Sequence, residues 1–199
     1  VNDAGYQIVK DLDFKNKKIL EIGAGDIRHI KYWQNKPLEY ILADISNDMM
    51  KLAKSKLDNN NVPYQSIKVE RDKPLPLKDN SVDIVLSFYS LEHLYPFQPY
   101  LDEIKRVLKP NGILAGAIPA EGGLSWGLGR FLTSRRWFKK NTSIDPDKII
   151  CWEHPNFADE IIEGLNKGLT KRKLKLWPFS LIPILDLNLI VKFKYSKNL

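Results

Sequence analysis

The sequence has little of what several classes of protein require. Cys151 is the only cysteine among 199 residues, so no intramolecular disulfide can form and a cysteine-rich metal site is excluded. No segment approaches the roughly 20 consecutive apolar residues of a membrane-spanning helix. Residues 1–10 also lack the apolar run of a signal peptide. We therefore expect one domain over residues 1–199 and a cytoplasmic location.

The charge of the chain is strongly unequal. Its 31 basic and 24 acidic residues give a formal net charge of +7 and an isoelectric point near 9.3. Such an excess is typical of proteins with an acidic partner, but it also keeps a protein in solution without any partner. The charge alone does not distinguish these two interpretations.

Short apolar runs alternate with amphipathic segments from residue 18 to residue 119. A parallel sheet with helices on both faces is expected from this alternation, in a doubly wound α/β fold. Pro110-Asn111-Gly112 is expected to break the chain before the last of these strands. The predicted strands are Lys18–Ile22, Glu39–Asp44, Gln65–Val69, Val82–Phe88 and Ile113–Ile118, and the predicted helices are Ile27–Gln34, Asn47–Leu57 and Pro99–Leu108.

The alternation stops after residue 119. Residues 120–152 are predicted to be an insertion that covers the site, and a helix is predicted over Asn156–Lys167. Two β-like runs, Lys173–Trp177 and Leu187–Tyr195, are joined by a short proline-containing connection. They predict an antiparallel hairpin at the end of the sheet.

A glycine-containing turn follows the first predicted strand. Glu21-Ile22-Gly23-Ala24-Gly25 allows the backbone to turn sharply and to approach a ligand closely. The helix that follows adds free N–H groups. A dinucleotide fingerprint, G-x-G-x-x-G, would need glycine at position 28, where this chain has Arg28. The spacing therefore disfavours a nicotinamide dinucleotide.

An acidic residue closes the second predicted strand, 19 residues after Gly25. Asp44 at this distance is placed to accept hydrogen bonds from the two hydroxyls of a ribose. The alternative is a capping role for the helix predicted to start at Asn47. The upstream glycines favour ribose binding.

Several motifs, taken in order, resemble class I S-adenosylmethionine-dependent methyltransferases. The resemblance covers residues 17–119 and implies a mostly parallel seven-stranded sheet that ends in an antiparallel hairpin. It also implies S-adenosylmethionine as the cofactor. The motifs are Glu21-x-Gly23-x-Gly25, Asp44, residues 75–83 (LPLKDNSVD), Leu91-Glu92-His93-Leu94 and Leu108-Lys109-Pro110-Asn111-Gly112.

The resemblance also implies roles for individual residues. The methionine end of the cofactor would be held by Glu21, Gly23, Ala24 and Gly25 and lined by Ser87 and Phe88. Asp44 would bind the ribose, with Ile45 beside the adenine, and Asp72 is the predicted adenine contact. Many relatives have a third glycine where this chain has Ile27, which alters the turn.

Three residues are candidate acids or bases for the transfer. His93 follows the fourth strand and titrates near neutrality, but it is equally suited to ordering its own turn by bonding a backbone carbonyl. His154 and Glu121 are the other two candidates. His29 is predicted to be a surface or helix-packing residue. The three histidines form no recognisable metal motif, and we predict no metal.

The predicted insertion is basic and aromatic. Its candidate substrate-binding residues are Trp126, Arg130, Arg135 and Arg136, because arginine suits bidentate contact with phosphate or carboxylate. The alternatives are an amphipathic helix packed on the sheet edge and a basic helix resting on anionic lipid.

These features predict methyl transfer to a hydroxyl or amino acceptor. The basic insertion favours an acidic small molecule or glycan. The C-terminal pattern, Glu153-His154-Pro155 and Asn188-Leu189, loosely resembles methyltransferases of cell-surface glycan synthesis, which implies a sugar nucleotide or lipid-linked glycan. Two alternatives remain open: an RNA methyltransferase and a non-catalytic cofactor-binding subunit of a partner.

Overall fold

One mixed sheet organises the chain. The structure, a computed structural model, describes residues 2–70, 73–120, 126, 140–142, 155–182 and 184–198. Within them, seven strands follow the order β3-β2-β1-β4-β5-β7-β6. They are β1 (Lys18–Ile22), β2 (Glu39–Asp44), β3 (Tyr64–Lys68), β4 (Val82–Phe88), β5 (Leu108–Pro119), β6 (Thr170–Trp177) and β7 (Ile190–Ser196).

Strands β1 to β5 pair in parallel, whereas β7 pairs antiparallel with both β5 and β6. The doubly wound fold and its antiparallel C-terminal hairpin are therefore confirmed. Parallel order brings the carboxyl ends of β1, β2 and β4 to one edge, where ligands bind in such sheets. The described helices are α1 (Asn2–Tyr6), α2 (Asn47–Asn59), α3 (Phe97–Val107) and α4 (Ala158–Gly168), with 3₁₀ turns at Gln7–Asp11, Arg28–Tyr32, Leu91–His93 and Leu185–Leu187.

Two apolar layers hold the helices to the sheet. On one face, α3 and α4 bury residues at helical spacing, such as Leu101 and Ile104 of α3 and Ile161 and Leu165 of α4. On the other face, α2 and the N-terminal segment pack on β1, β2 and β4. With both faces covered, the central strands are continuously apolar, as a parallel sheet requires.

Two predicted features are wrong in detail. Pro110-Asn111-Gly112 does not interrupt the fifth strand, since β5 runs from Leu108 to Pro119. The pairing with β4 shifts register between Val82 and Ile84, and Asn111 has a positive φ of 60°. Proline lacks a ladder N–H, but a bulge tolerates it. The helix predicted over Ile27–Gln34 is only a 3₁₀ turn.

The predicted insertion lies largely outside the described residues. Of residues 120–152, the structure describes Ala120, Trp126 and residues 140–142. The indole N–H of Trp126 donates to the carbonyl of Leu189, at 2.8 Å. This contact places Trp126 beside the chain that enters β7. No helix in the described ranges is long and apolar enough to cross a bilayer.

Candidate cofactor site at the ends of β1, β2 and β4

The turn after β1 uses a left-handed backbone three times. Gly23, Gly25 and Ile27 have φ angles of +67°, +51° and +44°. A Cβ on Gly23 would lie 2.5 Å from the Cβ of Ser90, so glycine is needed there for space as well as for conformation. Ile27 takes the same conformation despite its branched Cβ, and its buried side chain holds it there. The turn therefore forms without a third glycine.

A cavity of about 230 Å³ opens beside this turn. The glycine turn supplies one wall, and α1 and the end of β4 supply others. Among the residues predicted for the cofactor, Glu21, Gly23, Ala24, Gly25 and Phe88 line it. The remaining described lining residues are Asn2, Tyr6, Asp26, Ile27, Arg28, His29 and Met49.

Glu21 lies under the cavity and is only 1% exposed. One carboxylate oxygen lies 2.9 Å from Nε2 of His29, and the other accepts the hydroxyl of Tyr40 at 2.6 Å. Burial, with the nearby Glu21 charge, raises the pKa of Tyr40 well above its ordinary value. Tyr40 therefore remains a hydrogen-bond donor. Both Glu21 oxygens are held by side chains that approach from β2 and from the turn after β1.

The tautomer of His29 follows from its other neighbour. The indole N–H of Trp33 lies 2.9 Å from Nδ1 of His29. Because an indole nitrogen can only donate, Nδ1 must accept, and the ring proton must be on Nε2. His29 then donates to Glu21. The expectation of a surface location for His29 is wrong, since the side chain is 1% exposed and packs 4.8 Å from the Phe88 ring.

Asp44 closes β2 and is 9% exposed. Its two oxygens accept backbone N–H groups, from Gly25 at 3.2 Å and from Ser46 at 2.7 Å. The helix cap itself is Ser46, whose hydroxyl accepts the N–H of Met49. Asp44 thus joins the glycine turn to the start of α2, and each of its oxygens has a further lone pair. The adjacent Ile45 is 73% exposed.

The end of β4 is tied to the end of β1. The hydroxyl of Ser90 donates to the carbonyl of Ile22 at 2.9 Å, and Ser87 lies 2.5 Å from Ser90. Since Ser90 has one proton and gives it to Ile22, Ser87 is the donor in the second bond. Ser87 is fully buried, whereas the neighbouring Phe88 reaches the cavity. Of this predicted pair, only Phe88 has a side chain on the cavity.

His93 ends a 3₁₀ turn whose shape is set by a residue from another part of the chain. Asn156, which is buried, donates its amide N–H groups to the carbonyls of Leu91 and Leu94 at 3.2 and 2.8 Å. The backbone N–H of His93 bonds the carbonyl of Ser90. His93 is exposed and is not one of the described residues that line the cavity. Its role as a base stays a prediction.

Six predicted site residues lie outside the described part of the chain. They are Asp72, Glu121, Arg130, Arg135, Arg136 and His154. Conversely, the sequence analysis missed Tyr6, Met49 and the buried partners of Glu21. Apolar patterns do not distinguish a buried tyrosine that bonds an acid from one that only packs. The position of His29 shortly after the glycine turn was the one available signal.

Known proteins resemble both the sequence and the fold. Residues 20–116 match the family described as a methyltransferase domain. Over 80 residues the chain is 36% identical to a ubiquinone/menaquinone biosynthesis C-methyltransferase of a Shewanella species, covering 38% of this chain and 31% of that protein. Over 151 residues it is 27% identical to a malonyl-[acyl-carrier protein] O-methyltransferase of Buchnera aphidicola, covering 75% and 59%.

A solved structure shares the fold. An S-adenosylmethionine-dependent methyltransferase from Aquifex aeolicus superposes with a TM-score of 0.62 at 16% identity, covering 96% of this chain and 88% of that one. The chain spans less than two thirds of the two relatives by sequence. The expected class I methyltransferase fold and domain are confirmed. The narrower resemblance to glycan-cluster enzymes stays a prediction.

Proposed function

We propose that this chain, whose residues 20–116 match a methyltransferase domain, transfers a methyl group from S-adenosylmethionine to an acceptor. The observation that carries the proposal is the pairing of the glycine turn with Asp44. One carboxylate closes β2 and bonds the N–H of Gly25, a residue that lines the cavity. A ribose between the turn and α2 would meet that carboxylate.

The residues present fit such a cofactor. Each Asp44 oxygen uses one lone pair on the protein and has another for a ribose hydroxyl. The exposed Ile45 offers an apolar surface for the adenine. A Cβ at Gly25 would meet no side chain closer than Met49 Cε, at 3.7 Å, so this side of the turn is open. Glu21, Gly23, Ala24 and Phe88 would surround the methionine end.

The cofactor supplies a methyl group already activated on a sulfonium, so the protein mainly aligns the donor with the acceptor. Such alignment is worth effective molarities of roughly 10⁵–10⁸ M in favourable cases. His93, at the same edge of the sheet, is the proposed base for a hydroxyl acceptor, a contribution of about 10²–10⁴-fold. Asn156 would act indirectly, by fixing the turn that carries His93.

The acceptor is part of the same proposal. An acidic hydroxyl or amino compound, such as a sugar nucleotide or a lipid-linked glycan, suits the basic segment with Arg130, Arg135 and Arg136. The names of the two curated relatives specify a C-methyltransferase and an O-methyltransferase, so carbon acceptors belong in the same screen. The single cysteine supports a cytoplasmic location for this reaction.

The experiment is thermal unfolding of the whole chain with S-adenosylhomocysteine and, separately, with NADH. A ligand present at 100 times its dissociation constant stabilises the native state by about 2.7 kcal/mol. For a chain of this size, the midpoint should rise by about 5–10 °C. A rise with S-adenosylhomocysteine alone supports the proposal. A rise with NADH alone would overturn it.

A further inference from the structure

The connection between β6 and β7 exposes a cluster of large apolar side chains. Leu181 is 94% exposed, and it is followed closely by exposed isoleucines. Single exposed apolar residues are common on any protein, but a contiguous group marks an interaction surface. The cluster, which we call the apolar tip, consists of Phe179, Leu181, Ile182, Ile184 and Leu187.

The apolar tip is held in shape by a buried side chain. Asn188 is fully buried, and its carbonyl oxygen accepts the N–H of Phe179 at 2.8 Å. Its amide donates to the carbonyls of Ile182 and Ile184, at 3.1 and 2.8 Å. Both ends of one side-chain amide are thus used to fix the backbone of this connection. The exposed apolar groups are presented on an ordered loop.

Lysines lie directly behind the apolar tip. In the β6–β7 register, Lys175 pairs with Lys192, and Lys173 pairs with Lys194. Like charges in directly opposite positions destabilise a sheet. The hairpin from Thr170 to Lys197 contains seven basic residues and one acid, a net charge of +6 out of +7 for the whole chain. The positive charge is therefore concentrated next to the exposed apolar surface.

Few carboxylates balance this charge. Lys173 pairs with Asp11. Within the described part of the chain, Lys175, Lys192 and Lys194 have no carboxylate within 4.0 Å in an ion pair. Partial burial, followed by the charges of Lys175 and Lys173, lowers the pKa of Lys192. An external anion would relieve this repulsion.

We propose that the hairpin is a docking surface for an anionic lipid bilayer. The apolar tip enters the boundary between headgroups and acyl chains, about 5–10 Å deep, as interfacial segments do. Lys175 and Lys192 lie two residues behind the last strand pair, Trp177 and Ile190, or about 7 Å along the strands. They therefore reach the level of the lipid phosphates. This docking does not depend on the proposed methyl transfer.

Protection of a sheet edge and contact with a second copy of the chain each account for less of this surface. Lysines on an edge strand prevent edge-to-edge pairing, which explains the charge of β6 but not Lys192 and Lys194 on the interior strand β7. A second copy in a two-fold contact would bring the same patch against itself. The two lysine ladders would then repel each other. Phospholipid headgroups complement both the lysines and the apolar tip.

The test is co-sedimentation of the full chain with vesicles of phosphatidylglycerol and phosphatidylcholine, and with vesicles of phosphatidylcholine alone. We expect binding to the anionic vesicles that weakens with salt. Leu181→Ser should weaken it about tenfold, as expected for withdrawing one leucine from the interface. The double variant Lys175→Gln and Lys192→Gln should lose about fivefold for each charge.

Matched controls change the same residue types elsewhere. Leu38→Ser removes a leucine that is 63% exposed before β2, and Lys15→Gln with Lys36→Gln removes two exposed charges. Both controls should bind like the unaltered chain, and all variants should keep its thermal midpoint. Equal binding by Leu181→Ser, or equal binding to neutral vesicles, would overturn the proposal. So would a dimer that Leu181→Ser dissociates, in a chain that binds no vesicles.

Discussion

Two acidic residues end neighbouring parallel strands, and their surroundings differ. Glu21, near the end of β1, is 1% exposed, and side chains bond both of its oxygens. Asp44, at the end of β2, is 9% exposed, and its oxygens accept backbone N–H groups from the two loops beside it. Glu21 lies beneath the cavity, whereas Asp44 lies beside the glycine turn that lines it. The same chemical group is placed for two different tasks.

The difference shows how a cofactor edge divides its work. The partners of Glu21 come from β2 and from the turn after β1, so Glu21 joins elements of the fold. The partners of Asp44 are the two loops between which a ligand would lie. We therefore expect changes at Glu21 to affect mainly the free energy of unfolding. Changes at Asp44 should affect mainly the dissociation constant of the cofactor.

The largest expected effect is that of Glu21→Ala. It removes the acceptor for His29 and for Tyr40, both buried, and each unmade bond costs about 1–3 kcal/mol. We expect a loss of about 3–5 kcal/mol in the free energy of unfolding, measured by urea denaturation. The control is Glu39→Ala, which removes a half-exposed ion pair with Lys18 and should cost less than about 1 kcal/mol. Equal losses would show that Glu21 is not a structural anchor.

A smaller effect is expected from Tyr40→Phe. This change leaves the ring stacked on Trp33, 5.0 Å away, and removes only the hydroxyl that bonds Glu21. The expected loss is about 1–3 kcal/mol, since a buried carboxylate oxygen loses its donor. Tyr64→Phe is the matched control. Tyr64 pairs with Tyr40 in the sheet but bonds Asp58 at the surface, and its loss should be within about 0.5 kcal/mol.

The next prediction concerns Asp44→Ala, measured by calorimetric titration with S-adenosylhomocysteine. Loss of the charge-assisted bonds to the ribose should raise the dissociation constant by at least about tenfold, or 1.4 kcal/mol. Asp48→Ala removes an exposed carboxylate from the first turn of α2 and should bind normally. An unchanged dissociation constant in Asp44→Ala would separate Asp44 from the cofactor and remove the contrast with Glu21.

The sequence predicted well the parts of this site that depend on local spacing. Gly23, Gly25 and Asp44 belong to a strand–turn–strand pattern that short-range rules describe, and the capping role of Ser46 follows from its place before α2. The β4 bounds were also correct. These features depend on a residue and its near neighbours, which the linear sequence displays.

The partners of Glu21 could not be predicted in the same way. Tyr40 is 19 residues away, and its hydroxyl meets Glu21 only because β1 and β2 pair in one register. His29 meets it because Ile27 accepts a left-handed backbone that its residue type disfavours. In β5, Pro110 reads locally as a breaker, but tertiary pairing turns it into a bulge. Each case is decided by contacts that sequence periodicity does not contain.

The smallest expected effect is a dependence on alkaline pH that tests the Tyr40–Glu21 bond without removing the carboxylate. Burial raises the pKa of Tyr40 above its ordinary value of 10.0, so the folded chain keeps this proton when the unfolded chain has begun to lose it. The contribution of Tyr40 is then complete below pH 10 and declines as the pH rises. The stability gap between the unaltered chain and Tyr40→Phe should narrow by about 0.8 kcal/mol between about pH 8 and pH 10.5. A gap that stays constant would mean that Tyr40 titrates as it does in the unfolded chain, and would place Glu21 in an environment as open as that of Asp44.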